Sequence, residues 1–526
     1  MRDRIKWMLT VVLAAVILLL LVGFLRDANA TARILTQAEL ADILSRKEQR
    51  DKGGMDGTLR ILGENAPYDE ASERFYVPQS LEKTEWELPL TWSRAGYRAY
   101  LCPDAYFDDK KAAIAEGHAF SLLIVDGSQY FYRQVVFTGM PMITLHKQDR
   151  VVTESGLYLL RAFDPSGGAD GGYLVQRSYT TFRPRGASSL YWDKKSYRLY
   201  LQDGVGKPAA LALLGLRLDD DWILNAMYTD PQKMRDKLCV DIWNALCASN
   251  SKDLPYTHAE FTEVTIEDAY SGLYCLMEPV GKKSTGLDAG TDYLFQIKSW
   301  INTVLMPGER CETADLAAIG EFEQIGTDGE QMQTRAKESV CDYVNMFMTG
   351  AEALREETVL SRLNLSSLID FALFNEVTTN ADSTEKNAFV LGDLQPDGSY
   401  EWTLIPWDCN ESFGLTFTGT VEELTDQYMF STIRRIELDR IETACPALVR
   451  SRLNARYAEL RATTFSDEAI AARIRALTGH NVSSGALARD AARWPESSSD
   501  ANVEPLIEFM RARLAYLDAV YAALPQ

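Results

Sequence analysis

Between Phe371 and Gly414 the chain reads FALFNEVTTNADSTEKNAFVLGDLQPDGSYEWTLIPWDCNESFG, which sets two acids and an amide at spacings suited to handling phosphate. Asp382 and Asn387 bracket Ser383, Thr384, Glu385 and Lys386. One short loop thus carries a carboxylate able to take a hydroxyl proton and a side-chain carbonyl able to hold Mg²⁺. After Asn387 come AFVLGD, the turn residues Gln395, Pro396, Asp397 and Gly398, and SYEWTLIP. This alternation around a turn predicts a β-hairpin. Its far arm delivers Trp407 and Asp408, so Asp408 folds back beside the loop at the near arm. Asn387 and Asp408 together make a hard-oxygen Mg²⁺ site suited to nucleotide phosphates.

The D-x-x-x-x-N spacing is the one protein kinases use for their catalytic Asp and a metal-binding Asn. Here Asn380 and Ala381 stand where those kinases have His-Arg, so coupling to a phosphorylated activation loop is not predicted. Asp408 lies in a DxxxSFG context rather than DFG. No G-x-G-x-x-G loop or Walker A motif occurs, so no generic nucleotide fingerprint is present.

The string NADSTEKN, a hairpin and IPWDxxxSFG resemble the signature of the spore-coat protein H (CotH) kinase family, a group of atypical protein kinases. Three further segments resemble that family in the same order. Arg185-Gly-Ala-Ser188-Ser leads through LYWD into Lys194, Lys195 and SYRLYL; WILNA at 222–226 is followed by Asp230 and Met234-Arg235; and SGLYCLM runs into Glu278. Together they cover roughly residues 140–480. The resemblance implies a two-lobed α+β kinase-like fold with a sheet-rich smaller lobe and a mostly helical larger one. It also implies ATP, Mg²⁺ or Mn²⁺, and transfer of the γ-phosphoryl group to Ser or Thr of a protein.

Within that frame Asp382 is the catalytic candidate, and Asn387 and Asp408 are the metal ligands. Lys194 and Lys195 are the phosphate candidates, because a strand-borne Lys neutralises ATP phosphates in kinases. Adjacent strand residues face opposite ways, so at most one enters a cleft, and the family motif favours Lys194. Arg185 and Ser188 sit in a turn whose backbone N–H groups and hydroxyls suit phosphate, or which is an ordinary turn. Glu278 falls where a hinge between lobes belongs, as a nucleotide contact or as a strand-end acid. Arg235 is a candidate partner of the site's charges, since no αC-type Glu for the lysine is visible. Readings that remain beside a kinase are a nucleotide-binding pseudokinase, a nucleotidyl transferase, and a non-catalytic envelope scaffold.

The N-terminus sets the expected compartment. Residues 1–6 are basic, and Trp7–Leu25 is a run of 19 uncharged residues, long enough to cross a bilayer as a helix. The charge distribution orients the N-terminus to the cytoplasm and exports the rest. Ala28-Asn29-Ala30 matches a cleavage pattern, so a secreted form after signal removal is the rival.

A formal net charge of −21 excludes a phosphate-backbone partner and favours basic protein substrates. The four histidines have no zinc-ligand spacing, and no G-x-S-x-G elbow supports a serine hydrolase. The eight cysteines permit disulfides in an oxidising exterior without fixing a connectivity.

The segments divide as 1–30, anchor or signal; 31–117, spacer and mixed N-terminal region; 118–290, smaller lobe of strands; and 291–526, helical larger lobe with the catalytic loop at 380–414. Helical spacing is read in QIKSWINTVL, DLAAIGEFEQI, VCDYVNMFM and LSSLIDFALFNEVTTN, with Ser361 and Ser366 as N-cap candidates.

Overall fold

The computed structural model describes residues 31–523 apart from 51–56, 149–155, 289, 300–304, 306–308, 326–328, 349–353, 384–385 and 422–435. Among these residues no helix is long and apolar enough to cross a membrane. The Trp7–Leu25 run lies outside the described residues.

The N-terminal region is more than a spacer. Helix α1 (Gln37–Arg46) starts at a Thr36 capping box with Glu39. The strands β1 (Arg74–Pro78), β2 (Arg98–Leu101), β3 (Ala119–Val125) and β4 (Gln129–Thr138) belong to one seven-stranded sheet. Because β2 pairs with β3 across 117/118, the boundary read there falls inside a sheet. Alternate residues such as Phe75, Leu122, Val135 and Phe137 give it a buried apolar face of its own.

Seven strands then close into a barrel: β5 (Met142–Lys147), β6 (Tyr158–Asp164), β7 (Leu174–Arg185), β8 (Ser196–Gln202), β9 (Asp221–Asn225), β10 (Ala259–Ile266) and β11 (Ala269–Met277). Neighbours pair antiparallel in the order β5-β6-β7-β8-β9-β11-β10, and a parallel β5–β10 pair closes the ring. Closure leaves no sheet edge, and Leu145, Leu160, Leu199, Trp222, Val264 and Tyr274 fill the interior. Helix α2 (Arg235–Ser249) lies between β9 and β10 in sequence and packs on the barrel's flank.

The remaining chain is mostly helical and also holds one sheet. The strands β12 (Tyr293–Ile297), β13 (Gly320–Ile325), β14 (Ala388–Leu394) and β15 (Tyr400–Pro406) form a sheet in the order β13-β12-β14-β15. The helical spacing read from Gln296 and through GEFEQI gives way to strand. GEFEQI has a competing period of two, with Phe322 packed on Phe295 while Glu321 and Glu323 face away from it. Around this sheet stand α3 (Glu330–Met348), α4 (Leu365–Thr378), α5 (Pro446–Arg461), α6 (Asp467–Ser483), α7 (Ala486–Arg493) and α8 (Glu504–Ala523). Helix α4 is buried on nearly every side and leads into the loop at 380. Its N-cap is Asn364, which accepts from Ser367 N, whereas Ser361 lies inside a preceding helix and Ser366 bonds Asn250. The fold is α+β as expected, but its sheet-rich part is a barrel and its helical part has a sheet at its heart.

Candidate active site

The hairpin brings the two ends of the loop together. β14 and β15 pair from Ala388↔Pro406 to Leu394↔Tyr400, around a turn in which Gly398 takes φ +87°. The Trp407 amide then donates to the Asn387 carbonyl at 3.1 Å, so the residue after the far strand sits against the residue before the near one. Asn387 and Asp408 both adopt left-handed φ, +52° and +56°. Such conformations are costly for non-Gly residues and cluster where function demands them. Behind Asp408, Phe413 is fully buried, its N–H donates to Thr378 O at 2.6 Å, and Gly414 N–H donates to Thr379 Oγ1. The SFG segment is thereby fastened to the C-terminal end of α4.

Asp382 lies in the turn Ala381–Ser383. Its Oδ2 accepts from Asn387 Nδ2 at 2.6 Å, and its Oδ1 pairs with Lys386 Nζ at 2.6 Å. Asp382, Asn387 and Asp408 line one cleft of about 740 Å³ with Arg185, Lys194, Arg198, Asn225 and Lys298. That volume is in the range of small-molecule sites. Asp408 is open to this cleft, whose walls hold its pKa above the ordinary carboxylate value, with Arg185 opposing and Asp382 reinforcing the rise. Arg185 lies 5.7 Å over the Trp407 ring.

The phosphate candidates separate. Lys194 lines the cleft but is buried, with Nζ 2.7 Å from Asp490 Oδ1. Burial pulls its pKa down while Asp490 pulls it up. Both lysines fall in the bend just before β8 rather than on the strand, and Lys195 turns away, donating to Leu190 O at 2.8 Å and to Trp192 O. Ser188 opens a short 3-10 turn, and its side chain lies outside the described residues. Glu278 does not join the cleft. It is buried, accepts from Arg217 N–H at 2.8 Å and His258 N–H at 2.9 Å, and pairs with Arg217 Nη1. Its neighbours Pro279 and Val280 line the cleft instead. Arg235 is spent on Asp230 and Gln232, where Asp230 also accepts the Met234 and Arg235 N–H groups and starts α2.

Of the further acids that line the cleft, two are strongly shifted. Asp236, in the first turn of α2, takes a 2.8 Å bond from Asn225 Nδ2, and burial and then Asp408 push its pKa up to about 7. Glu411 is pushed up to about 7 by burial and then Asp382. In sequence, Asp236 reads as an ordinary acid at a helix start, and its place after Met234-Arg235 is the signal that could have marked it.

The donors fit a divalent cation. Asn387 donates a side-chain N–H to Asp382, which leaves its side-chain oxygen as the ligand it can offer, in the cleft that Asp408 also lines. Among the described residues no three His, Cys, Asp or Glu side chains form a metal cage. Two protein oxygens with the rest from phosphate and water is the usual Mg²⁺ arrangement.

A polar cleft of nucleotide size, floored by carboxylates and walled by guanidinium and ammonium groups, is the layout of a phosphate-handling site. The family model described as CotH kinase protein matches residues 182–517, well over half of the chain, and the chain belongs to the CotH kinase family. At the family level it is a CotH-like kinase, and the kinase family implies the use of ATP and a divalent metal. No curated protein matches the chain.

Proposed function

We propose that the protein is a two-lobed kinase that transfers the γ-phosphoryl group of ATP to a Ser or Thr hydroxyl of an exported or cell-surface protein. The barrel serves as the smaller lobe, and the helices with their four-stranded sheet as the larger. The observation that carries this reading is the meeting of Asp382, Asn387 and Asp408 in one cleft beneath Arg185.

Asp382 orients the acceptor hydroxyl and takes its proton as the oxygen bonds to the γ-phosphorus and the bond to the ADP oxygen breaks. Asn387 holds the Asp382 carboxylate through its amide N–H and offers its carbonyl, with Asp408, to Mg²⁺ or Mn²⁺. A cation held by these two residues would supply neutralisation of the nucleotide's phosphate charge. Arg185, with Asp408 as its strongest charged neighbour, is placed to meet the phosphates. Most of the acceleration comes from positioning and charge neutralisation.

The basic N-terminus and the Trp7–Leu25 run support a single-pass anchor with the catalytic region outside the cytoplasm, or secretion after cleavage. The net charge of −21 supports a basic acceptor. The test is incubation with Mg²⁺ and ATP labelled at the γ or the α position, beside a basic Ser-rich protein. Transfer of γ-label alone is the expected result. α-label transfer would replace the reading with nucleotidyl transfer, and no transfer with retained ATP binding would replace it with a pseudokinase.

A further inference from the structure

The cleft lysine lacks the acidic partner on a neighbouring helix that kinases use, and the structure supplies one from the far end of the chain. Lys194 and Asp490 are 296 residues apart, yet their side chains form an ion pair with 0% exposure on both sides. Lys194 Nζ also donates to Leu273 O and lies 4.7 Å over the Tyr274 ring. Asp490 Oδ1 accepts from Leu273 N–H at 2.8 Å. The approach is close enough to dictate a glycine, since a Cβ on Gly272, at φ +105°, would stand 2.3 Å from Asp490 Oδ1.

The segment that carries Asp490 is strapped across the barrel. Arg489 grips Glu263 with two 2.7 Å bonds, Arg493 Nε donates to Tyr270 O, and Trp494 Nε1 donates to Ser271 O. A second buried lysine, Lys233, donates to Ser497 Oγ at 2.6 Å. Four bonds to β10 and β11 therefore fix α7 against the strands beside Lys194. An ammonium has three N–H donors, and Asp490 and Leu273 take two. These partners and the Tyr274 ring enclose the ammonium in surroundings of low polarity, which strengthen charge interactions, in the wall of the cleft that Lys194 lines.

We propose that Asp490 is the positioning residue for Lys194, so that helix α7 sets the affinity of the cleft for nucleotide phosphates. This rests on the kinase reading above. Arg489, Arg493 and Trp494 act only by holding the helix.

The test uses the full chain in four forms: wild type, Asp490→Asn, Lys194→Met and the double variant. Mg²⁺·ATP binding is measured calorimetrically, and KM and kcat are measured on the basic acceptor. Asparagine keeps the acceptor for Leu273 N–H and removes only the charge. Asp490→Asn is expected to raise the ATP Kd and KM by about tenfold, the size of turning a charge-assisted bond into a neutral one, with kcat changed far less. In the Lys194→Met background the same substitution should add nothing. An unchanged ATP Kd in folded Asp490→Asn, or an equal effect without Lys194, overturns the proposal. If Asp490→Asn does not fold, rescue of folding by Lys194→Met shows that the carboxylate serves that lysine. A double variant that then binds ATP like wild type overturns it, as does a failure to be rescued. Wild type without Mg²⁺·ATP binding instead defeats the kinase reading itself.

Discussion

Asp236 offers a test of the cleft's electrostatics that needs no substrate. It is 6% exposed, and its carboxyl is displaced from 3.8 to about 7, by burial first and by Asp408 second. That displacement corresponds to about 4 kcal/mol of opposition to the charged form, an upper figure because neighbouring groups relax. The unfolded chain releases this proton near its ordinary pKa while the folded chain retains it to about 7, so the folded state binds more protons over that window. Stability from this group is therefore fully present below about pH 4 and is lost as pH rises through about 7. Asp236→Asn keeps an acceptor for Asn225 Nδ2 and carries no charge to titrate. In urea unfolding with chelator present, the variant should exceed wild type by about 2–4 kcal/mol at about pH 8, with the gap closing toward pH 4. A gap that is the same at both ends, or a variant less stable at the alkaline end, would refute the reasoning.

Phe413→Ala should cost about 3–5 kcal/mol in the same unfolding assay, because a fully buried ring is deleted where the SFG segment meets α4. Glu278→Gln should lower stability by about 1–3 kcal/mol by removing one of the two buried carboxylates that pair with Arg217, while the ATP KM stays at the wild-type value; a raised KM would return Glu278 to the nucleotide site. All eight cysteines are free and buried, so brief alkylation of the native protein should label none of them and unfolding should expose all eight. Cys311 and Cys341, with sulfurs 3.6 Å apart, should become protected together if an oxidant is supplied.

What the sequence made legible was local. Asp382, Asn387 and Asp408 lie within one loop and hairpin, and hairpin register follows from turn and alternation, so their convergence could be read before any fold was known. That Lys194 and Lys195 part company follows from no strand pattern, because both precede β8 and the preference for Lys194 came from the family motif. Asp490 was not legible, because nothing local links a residue on a C-terminal helix to a lysine 296 positions earlier. Glu278 was misplaced because a strand-end acid aimed at a cleft and one gripped by Arg217 read identically. The N-terminal sheet escaped notice since two of its pairings are parallel and involve strands of two residues, Arg33–Ile34 with Tyr100–Leu101 and Glu48–Gln49 with Gln129–Tyr130. The end of β12 from Gln296 and all of β13 were read as helix, where Gln296 and Ile297 in fact pair with Glu321 and Gly320 as strand neighbours.

The most direct measurement is mass spectrometry of an acceptor protein after incubation with ATP, Mg²⁺ and the full chain, beside Asp382→Ala and Asp408→Ala variants that unfold cooperatively like wild type. The account predicts a phosphate adduct on Ser or Thr with wild type and none with either variant. An AMP adduct, or a phosphate adduct that persists with either variant, would contradict it.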